Sequence, residues 1–206
     1  MLTKKDLKFA IITGLTTGII AWRVLLFLGT TEIYGISTIW LVVVVPLAWI
    51  VGVKLGYVLG RWMAFFNQFG KFVAVGFTNA AVDFGILNLQ ISLTGIESGW
   101  HYSLFKSVSF VVAVMHSYVW NKYWVFDSAS SSGGRSEFFK FLTVNLVAIV
   151  FNVGIASFVV NYVTPFGGID TKVWANIGAV IGSACSIFLT FIGARLFVFK
   201  KQQDVV

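Results

Sequence analysis

Long apolar runs, separated by short polar stretches, follow one another along almost the whole chain. Each run has about 20 residues, the length that an α-helix needs to cross the hydrocarbon layer of a membrane. The predicted spans are 7–28, 36–59, 71–93, 101–121, 140–162 and 172–198. The pattern therefore predicts an all-α integral membrane protein with six transmembrane helices.

Two parts of this pattern resemble each other. Residues 69–84 and 138–153 align at an offset of 69 positions, and each stretch is followed by a polar turn, a second apolar run and a basic, aromatic ending. The aligned pairs include Lys71 with Lys140, Phe72 with Phe141, Val75 with Val144, Asp83 with Asn152, and Gly85 with Gly154. We interpret the two copies as duplicated helical hairpins.

The repeats define the predicted domain organisation. Its segments are an extra N-terminal transmembrane hairpin at 1–62, an interfacial connector at 63–70, and a four-helix domain at 71–201 that contains repeats 69–126 and 138–199 and the Ser/Gly-rich linker 127–137.

Composition and charge support a membrane location and give an orientation. With 58% hydrophobic and 11% charged residues, the chain has more apolar surface than a water-soluble fold can bury. The net charge of +7 comes from basic residues at the termini and in alternate loops, as the positive-inside rule requires, so we expect no nucleic-acid partner. Both termini are predicted to be cytoplasmic, in a multi-pass protein of the cytoplasmic membrane.

This orientation relates the two repeats. Both repeats begin on the same side, so their hairpins have parallel orientation in the membrane.

Arg23 lies near the far end of the first span, where we interpret it as a side chain that reaches back to the interface; a role in binding substrate is the alternative.

Polar residues within the spans are the first candidate site. Asp83 lies twelve residues beyond Lys71, about 18 Å along a helix, so its carboxyl should face the interior of the bundle. The predicted intramembrane polar path consists of Asn79, Asp83, Lys106, His116, Asn121, Asn145 and Asn152. The alternative is an interhelical hydrogen-bond network that only stabilises the bundle.

Cations at the cytoplasmic boundary are the second candidate site. Aromatic side chains accompany these cations, and such a ring can hold a lipid phosphate while the rings lie among the chain carbons. The predicted headgroup-binding residues are Lys71, Lys122, Lys140 and Arg195. The alternative is an ordinary topology signal with an aromatic belt.

No motif for covalent chemistry is recognisable. The chain has no Gly-rich phosphate loop, no HExxH motif and a single cysteine, Cys185, and its loops are too short for a catalytic domain. We therefore predict no catalytic residues, no metal site and no cofactor, and we do not expect an enzyme.

The residues at 67–201 resemble the GtrA-like family of small polytopic membrane proteins. The resemblance rests on Gly76, Asn79 and Asp83, on the ending NKYWVF at 121–126, and on the second copy FFKFLTVNLVAIVFNVGIA with its closing RLFVFK. Two departures are Ser117, where the family has asparagine, and a second ending without the usual asparagine and tryptophan. The resemblance implies four spanning helices, and the hairpin at 1–62 is additional to them.

The resemblance also implies a role in the synthesis of cell-surface polysaccharides. The leading hypothesis is translocation of a polyprenyl-phosphate-linked sugar, or of the carrier lipid, across the membrane. The alternative is a non-catalytic adaptor that recruits a polyprenyl-phosphate glycosyltransferase. A weaker alternative is a small-solute or proton-coupled transporter that uses Asp83 and His116. Because so few helices can barely enclose a lipid headgroup, a homodimer is a further expectation.

Overall fold

The computed structural model describes residues 2–96, 99–128, 134–167 and 171–199. Its long elements within this part of the chain are α1 (Lys4–Phe27), α2 (Leu41–Leu59), α3 (Phe65–Thr94), α4 (Gly99–Trp120), α5 (Gly134–Tyr162) and α6 (Thr171–Gly193). Strands β1 (Glu32–Ile33) and β2 (Ile36–Ser37) form a short antiparallel hairpin, which a 3₁₀ turn (Thr38–Trp40) connects to α2.

Small residues let α1 and α2 pack closely. A Cβ atom at Gly14 would lie 2.5 Å from the Cα of Pro46, and one at Gly18 would overlap the carbonyl oxygen of Leu41. Two glycines four residues apart on one helix face are a recurring means of bringing helices together in membranes, where van der Waals packing replaces the hydrophobic effect.

Helices α1 and α3 run in the same direction. Contacts between them advance together along both helices, from Asp6 with Lys71, through Thr17 with Thr78, to Ile20 with Gly85. At the middle of this contact the two threonine hydroxyl oxygens are 3.0 Å apart. The Thr78 hydroxyl also accepts a 3.3 Å hydrogen bond from the Trp49 indole of α2, so one buried oxygen joins three helices.

Both predicted repeats end in a π-helical turn. Asn121–Val125 continues α4, and Ala194–Val198 continues α6. In the second copy, Phe141 of α5 and Phe199 lie with ring centroids 5.9 Å apart, and both side chains are buried.

The chain divides into two compact units, Met1–Ala129 and Ser130–Val206. Unit 1 contains α1–α4, with α1, α2 and α3 in mutual contact and α4 packed on α3; unit 2 contains α5 packed on α6. The division falls within the predicted linker. The N-terminal hairpin therefore packs as part of the same unit as the first repeat.

Helix length and composition agree with a multi-pass membrane protein. Among the described residues, Lys4–Phe27, Thr38–Leu59 and Phe65–Thr94 are long and apolar enough to cross a membrane, and Ala184–Val198 is a shorter apolar helical segment. Six crossings with cytoplasmic termini stay a prediction. Residues 65–70, expected in a separate connector, form the first turns of α3, and their interfacial position also stays a prediction.

Candidate functional site

Asp83 of α3 contacts α4 within unit 1. The Ser109 hydroxyl donates a 2.6 Å hydrogen bond to its carboxylate, and Ser109 is fully buried. The Asp83 side chain is half-buried. Its position, twelve residues beyond Lys71 on one continuous helix, places the carboxyl about 18 Å further along the helix axis.

Asn79 precedes Asp83 by one helical turn and lies on the same side of α3. Its side-chain oxygen is buried and has no hydrogen-bond partner among the described residues. A buried amide oxygen without a donor is costly, because it has lost its hydrogen bonds to water. Asn79 and Asp83 thus offer neighbouring acceptors, which suit hydroxyl or N–H donors.

Two further members of the predicted polar path lie near the end of α4. The Trp120 indole donates a 2.8 Å hydrogen bond to Nε2 of His116, so this nitrogen is unprotonated and the neutral ring carries its proton on Nδ1. The Asn121 amide donates to the carbonyl oxygen of Ser117 at 2.8 Å and lies 3.2 Å from its hydroxyl. Both interactions are within one helix, and the Asn121 side chain is buried.

Asp6, at the start of α1, is a buried carboxylate that the sequence pattern did not indicate, and it accepts several hydrogen bonds. The Asp6 carboxylate pairs with Lys71 of α3 at 2.6 Å and accepts hydrogen bonds from Tyr57 of α2 at 2.8 Å and from Trp124 at 3.1 Å. The Thr3 hydroxyl and the Thr3 backbone amide donate to the same carboxylate. The bond from the Thr3 amide, together with the bond from the Asp6 backbone amide to the Thr3 hydroxyl oxygen, forms a capping box.

This set of residues, which we call the Asp6 cluster, determines the environment of Lys71. The Asp6 side chain is 3% exposed and that of Lys71 is 13% exposed, so the pair lies inside the protein. The Lys71 ammonium also lies 5.3 Å from the centre of the Tyr57 ring. The positive charge of Lys71 is therefore balanced by the Asp6 carboxylate in this structure. The sequence signal was the Thr3–Asp6 spacing at a helix start, but nothing local indicated the partners.

Lys122, the second predicted cation of unit 1, also points into the protein. Its side chain is buried, and its ammonium lies 3.4 Å from the Tyr118 hydroxyl and 5.7 Å from the centre of that ring. The two predicted headgroup-binding lysines of unit 1 thus both lie within its packed interior.

The predicted cations of unit 2 have a different environment. Lys140 and Arg195 are both exposed. Lys140 lies on the wall of a cleft of about 760 Å³ between α5 and the end of α6. The remaining wall is largely apolar, with Val144, Val147 and Leu189 among its residues, and Ser136 and Thr143 lie near the lysine in sequence.

Asn145 is the remaining predicted site residue of unit 2 whose side chain is described, and its amide forms a hydrogen bond within α5. The Asn145 amide donates to the carbonyl oxygen of Phe141 at 2.8 Å. The side chains of Lys106 and Asn152 lie outside the described residues. Within the described part of the chain, no group of three or more His, Cys, Asp or Glu residues is placed to hold a metal ion.

Comparisons with known proteins identify relatives of this chain. The sequence model for the GtrA/DPMS transmembrane domain matches residues 71–199. The uncharacterized membrane protein YngA of Bacillus subtilis (strain 168) is 32% identical over 139 residues, which cover 66% of this chain and 84% of that relative. No solved structure matches the chain at a significant level. The matched domain begins at Lys71, so the hairpin of α1 and α2 lies outside it.

Proposed function

Since the chain belongs to the GtrA/DPMS transmembrane family, we propose that this multi-pass membrane protein moves a polyprenyl-phosphate-linked sugar, or its carrier lipid, across the cytoplasmic membrane. The sugar would then serve the synthesis of cell-surface polysaccharides. In this proposal the chain performs no covalent chemistry, because it binds and moves a lipid that other proteins make and use.

The observation that carries the proposal is the pair of acceptors on α3. Asn79 presents a buried oxygen without a partner among the described residues, and Asp83 presents a carboxylate one turn away. A sugar is rich in hydroxyl donors, so its passage along α3 would satisfy these oxygens. Polar groups at this depth are expensive in hydrocarbon, which is why they mark substrate paths in transport proteins.

The cleft of unit 2 supports a lipid as the substrate. A polyprenyl phosphate combines a long apolar chain with an anionic group, and the cleft combines an apolar wall with the exposed Lys140. A lysine can bind a phosphate as a point charge while the chain packs against the apolar wall. Arg195, also exposed, would contribute a second cation on the same unit.

The proposal is tested with purified protein reconstituted into vesicles that contain a labelled polyprenyl-phosphate sugar. The wild-type chain should change the exposure of the label between leaflets faster than protein-free vesicles, and Asp83→Asn should abolish this activity. Asp127→Asn is the matched control, because that carboxylate is 68% exposed and pairs with Lys5 outside the polar path. Movement by Asp83→Asn at the wild-type rate would contradict the assigned path.

The Asp6 cluster favours a second function, that of a non-catalytic adaptor for a membrane glycosyltransferase. Two of the four predicted phosphate-binding cations lie inside unit 1, and one of them is already neutralised by Asp6. An adaptor needs a stable bundle and exposed contact surfaces, and it does not need a mobile lipid. If the reconstituted wild-type chain moves no lipid but co-purifies with a glycosyltransferase, the adaptor replaces the transporter.

A further inference from the structure

A groove of about 610 Å³ lies between α1 and α3 of unit 1, towards the C-terminal ends of both helices. Its aliphatic and aromatic lining comes from Ile20, Val24 and Phe27 of α1 and from Val82, Ile86 and Leu89 of α3. The wall also contains Arg23, Asn88 and Ser92. The groove thus combines an apolar surface with one cation, one amide and one hydroxyl, which suits an amphiphilic ligand.

The groove lies far from the Asp6 cluster along the helices. Arg23 follows Asp6 by 17 residues on the same continuous helix, which corresponds to about 25 Å along its axis. The hydrocarbon layer of a membrane is about 30 Å thick, so the Asp6 cluster and Arg23 lie near opposite boundaries of one span.

Arg23 is the charged group of this groove. Its side chain is exposed, and its guanidinium lies 5.9 Å from the centre of the Trp22 ring. Among the described residues, no carboxylate forms an ion pair with it. A guanidinium has five N–H donors in a planar fork that matches a phosphate, and its charge is permanent.

A polar residue of α3 adds to this environment. The Asn88 amide donates one hydrogen bond to the carbonyl oxygen of Phe84 at 2.8 Å. An amide group has two N–H donors, so a second donor remains after this bond. The groove therefore offers a cation and an amide donor to an anion, and an apolar surface to the chain attached to it.

We propose that this groove binds an anionic phospholipid of the membrane, with its phosphate at Arg23 and an acyl chain against the apolar lining. Charge complementarity identifies the headgroup, and the apolar lining distinguishes a lipid from a free anion. Because α1 contributes Arg23 and half of the lining, the N-terminal hairpin creates a site that residues 71–199 alone do not contain. The site stands independently of the transport proposed above, since it needs only binding.

The test is a titration of the full-length purified protein in detergent with dioleoyl phosphatidic acid, followed by native mass spectrometry. The wild-type chain should bind phosphatidic acid more tightly than dioleoyl phosphatidylcholine. Arg23→Gln should weaken phosphatidic acid binding about tenfold, because a charge-assisted, two-point contact is lost. Arg23→Lys should give an intermediate affinity, since it keeps the charge but loses the planar fork.

Two matched controls separate this site from general attraction to the protein. Arg61→Gln removes an exposed arginine outside the groove and should leave the affinity unchanged. Leu89→Trp fills the groove and should weaken binding, whereas Leu93→Trp, at a 77% exposed position outside it, should not.

Three results would overturn the proposal. The first is that Arg23→Gln binds phosphatidic acid as tightly as the wild type. The second is that Arg61→Gln weakens binding as much as Arg23→Gln. The third is that inorganic phosphate displaces the lipid at similar concentrations. The third result would identify a free anion as the occupant.

Discussion

Asp6 is the residue on which the packing at the N-terminal end of α1 depends. Its carboxylate accepts hydrogen bonds from the N-cap residue of α1, from α2 and from the π-helical turn after α4, and it pairs with Lys71 of α3. The Asp6 side chain is almost fully buried. Removing one partner from a buried ion pair leaves an uncompensated charge, and this cost exceeds the net value of the pair itself.

We therefore expect Asp6→Ala to lower the free energy of unfolding by about 3–5 kcal/mol, the usual effect of breaking a buried pair. Lys5→Gln is the control, because Lys5 pairs with Asp127 at 2.6 Å but both side chains are largely exposed. Its effect should be about 0–1 kcal/mol. Denaturation of both variants in the same detergent measures the difference, and equal effects would contradict the role assigned to Asp6.

The opposite effect on the free energy of unfolding is expected at Asn79, because its side-chain oxygen accepts no hydrogen bond within the described residues. Asn79→Leu should keep or raise stability by about 1 kcal/mol, because it removes an unsatisfied buried acceptor. If Asn79 serves a passing sugar, the same variant should lose lipid-sugar movement in the vesicle assay. Thr78→Val is the contrast: it should lose stability through its contacts with Thr17 and Trp49 but keep movement. The reverse pattern would make Asn79 structural.

At the scale of elements, the hydrophobic pattern predicted where helices lie but not how they contact one another. The predicted span 71–93 lies within α3, and the predicted span 36–59 covers the 3₁₀ turn and α2. Asp6 was missed because its partner Lys71 is 65 residues away, and no local pattern encodes such a pair. The π-helical ends of α4 and α6 were not predicted either, since a register change in the backbone has no simple periodic signal.

The close packing of α1 on α2 gives a prediction about glycines. Gly14→Ala should lower the free energy of unfolding by about 2–3 kcal/mol, because its Cβ would overlap the backbone of Pro46 and the helices would have to separate. Gly52→Ala is the matched control, since nothing lies within 4 Å of a Cβ atom there. Thermal unfolding of the two variants should differ clearly; equal midpoints would show that α1 can shift without cost.

At the scale of the whole molecule, composition alone indicated a membrane protein, whereas the two compact units were not foreseen. The sequence interpretation grouped both repeats as one four-helix domain, which stays a prediction. The contacts place the first repeat in one compact unit with the N-terminal hairpin. Packing between α1 and α3 causes this grouping, and it depends on small side chains such as Gly85 opposite Ile20.

The predicted orientation is tested by cysteine labelling in cells on a Cys185→Ala background. Tyr34→Cys, in the fully exposed turn between β1 and β2, should react with a membrane-impermeant maleimide from outside. Asp127→Cys, which is also exposed, should react only after the cells are permeabilised. Labelling of Asp127→Cys in intact cells would contradict an odd number of crossings between the two positions.

The Asp6 cluster also constrains the order in which unit 1 assembles during synthesis. Asp6 leaves the ribosome 65 residues before Lys71. At about 5–20 residues per second, its carboxylate waits roughly 3–13 seconds for its counter-ion. The first turn of α1 must therefore remain near water during that interval, since an unpaired carboxylate enters hydrocarbon only at great cost. Burial of this turn therefore follows the synthesis of Lys71, although the turn is made before α2 and α3.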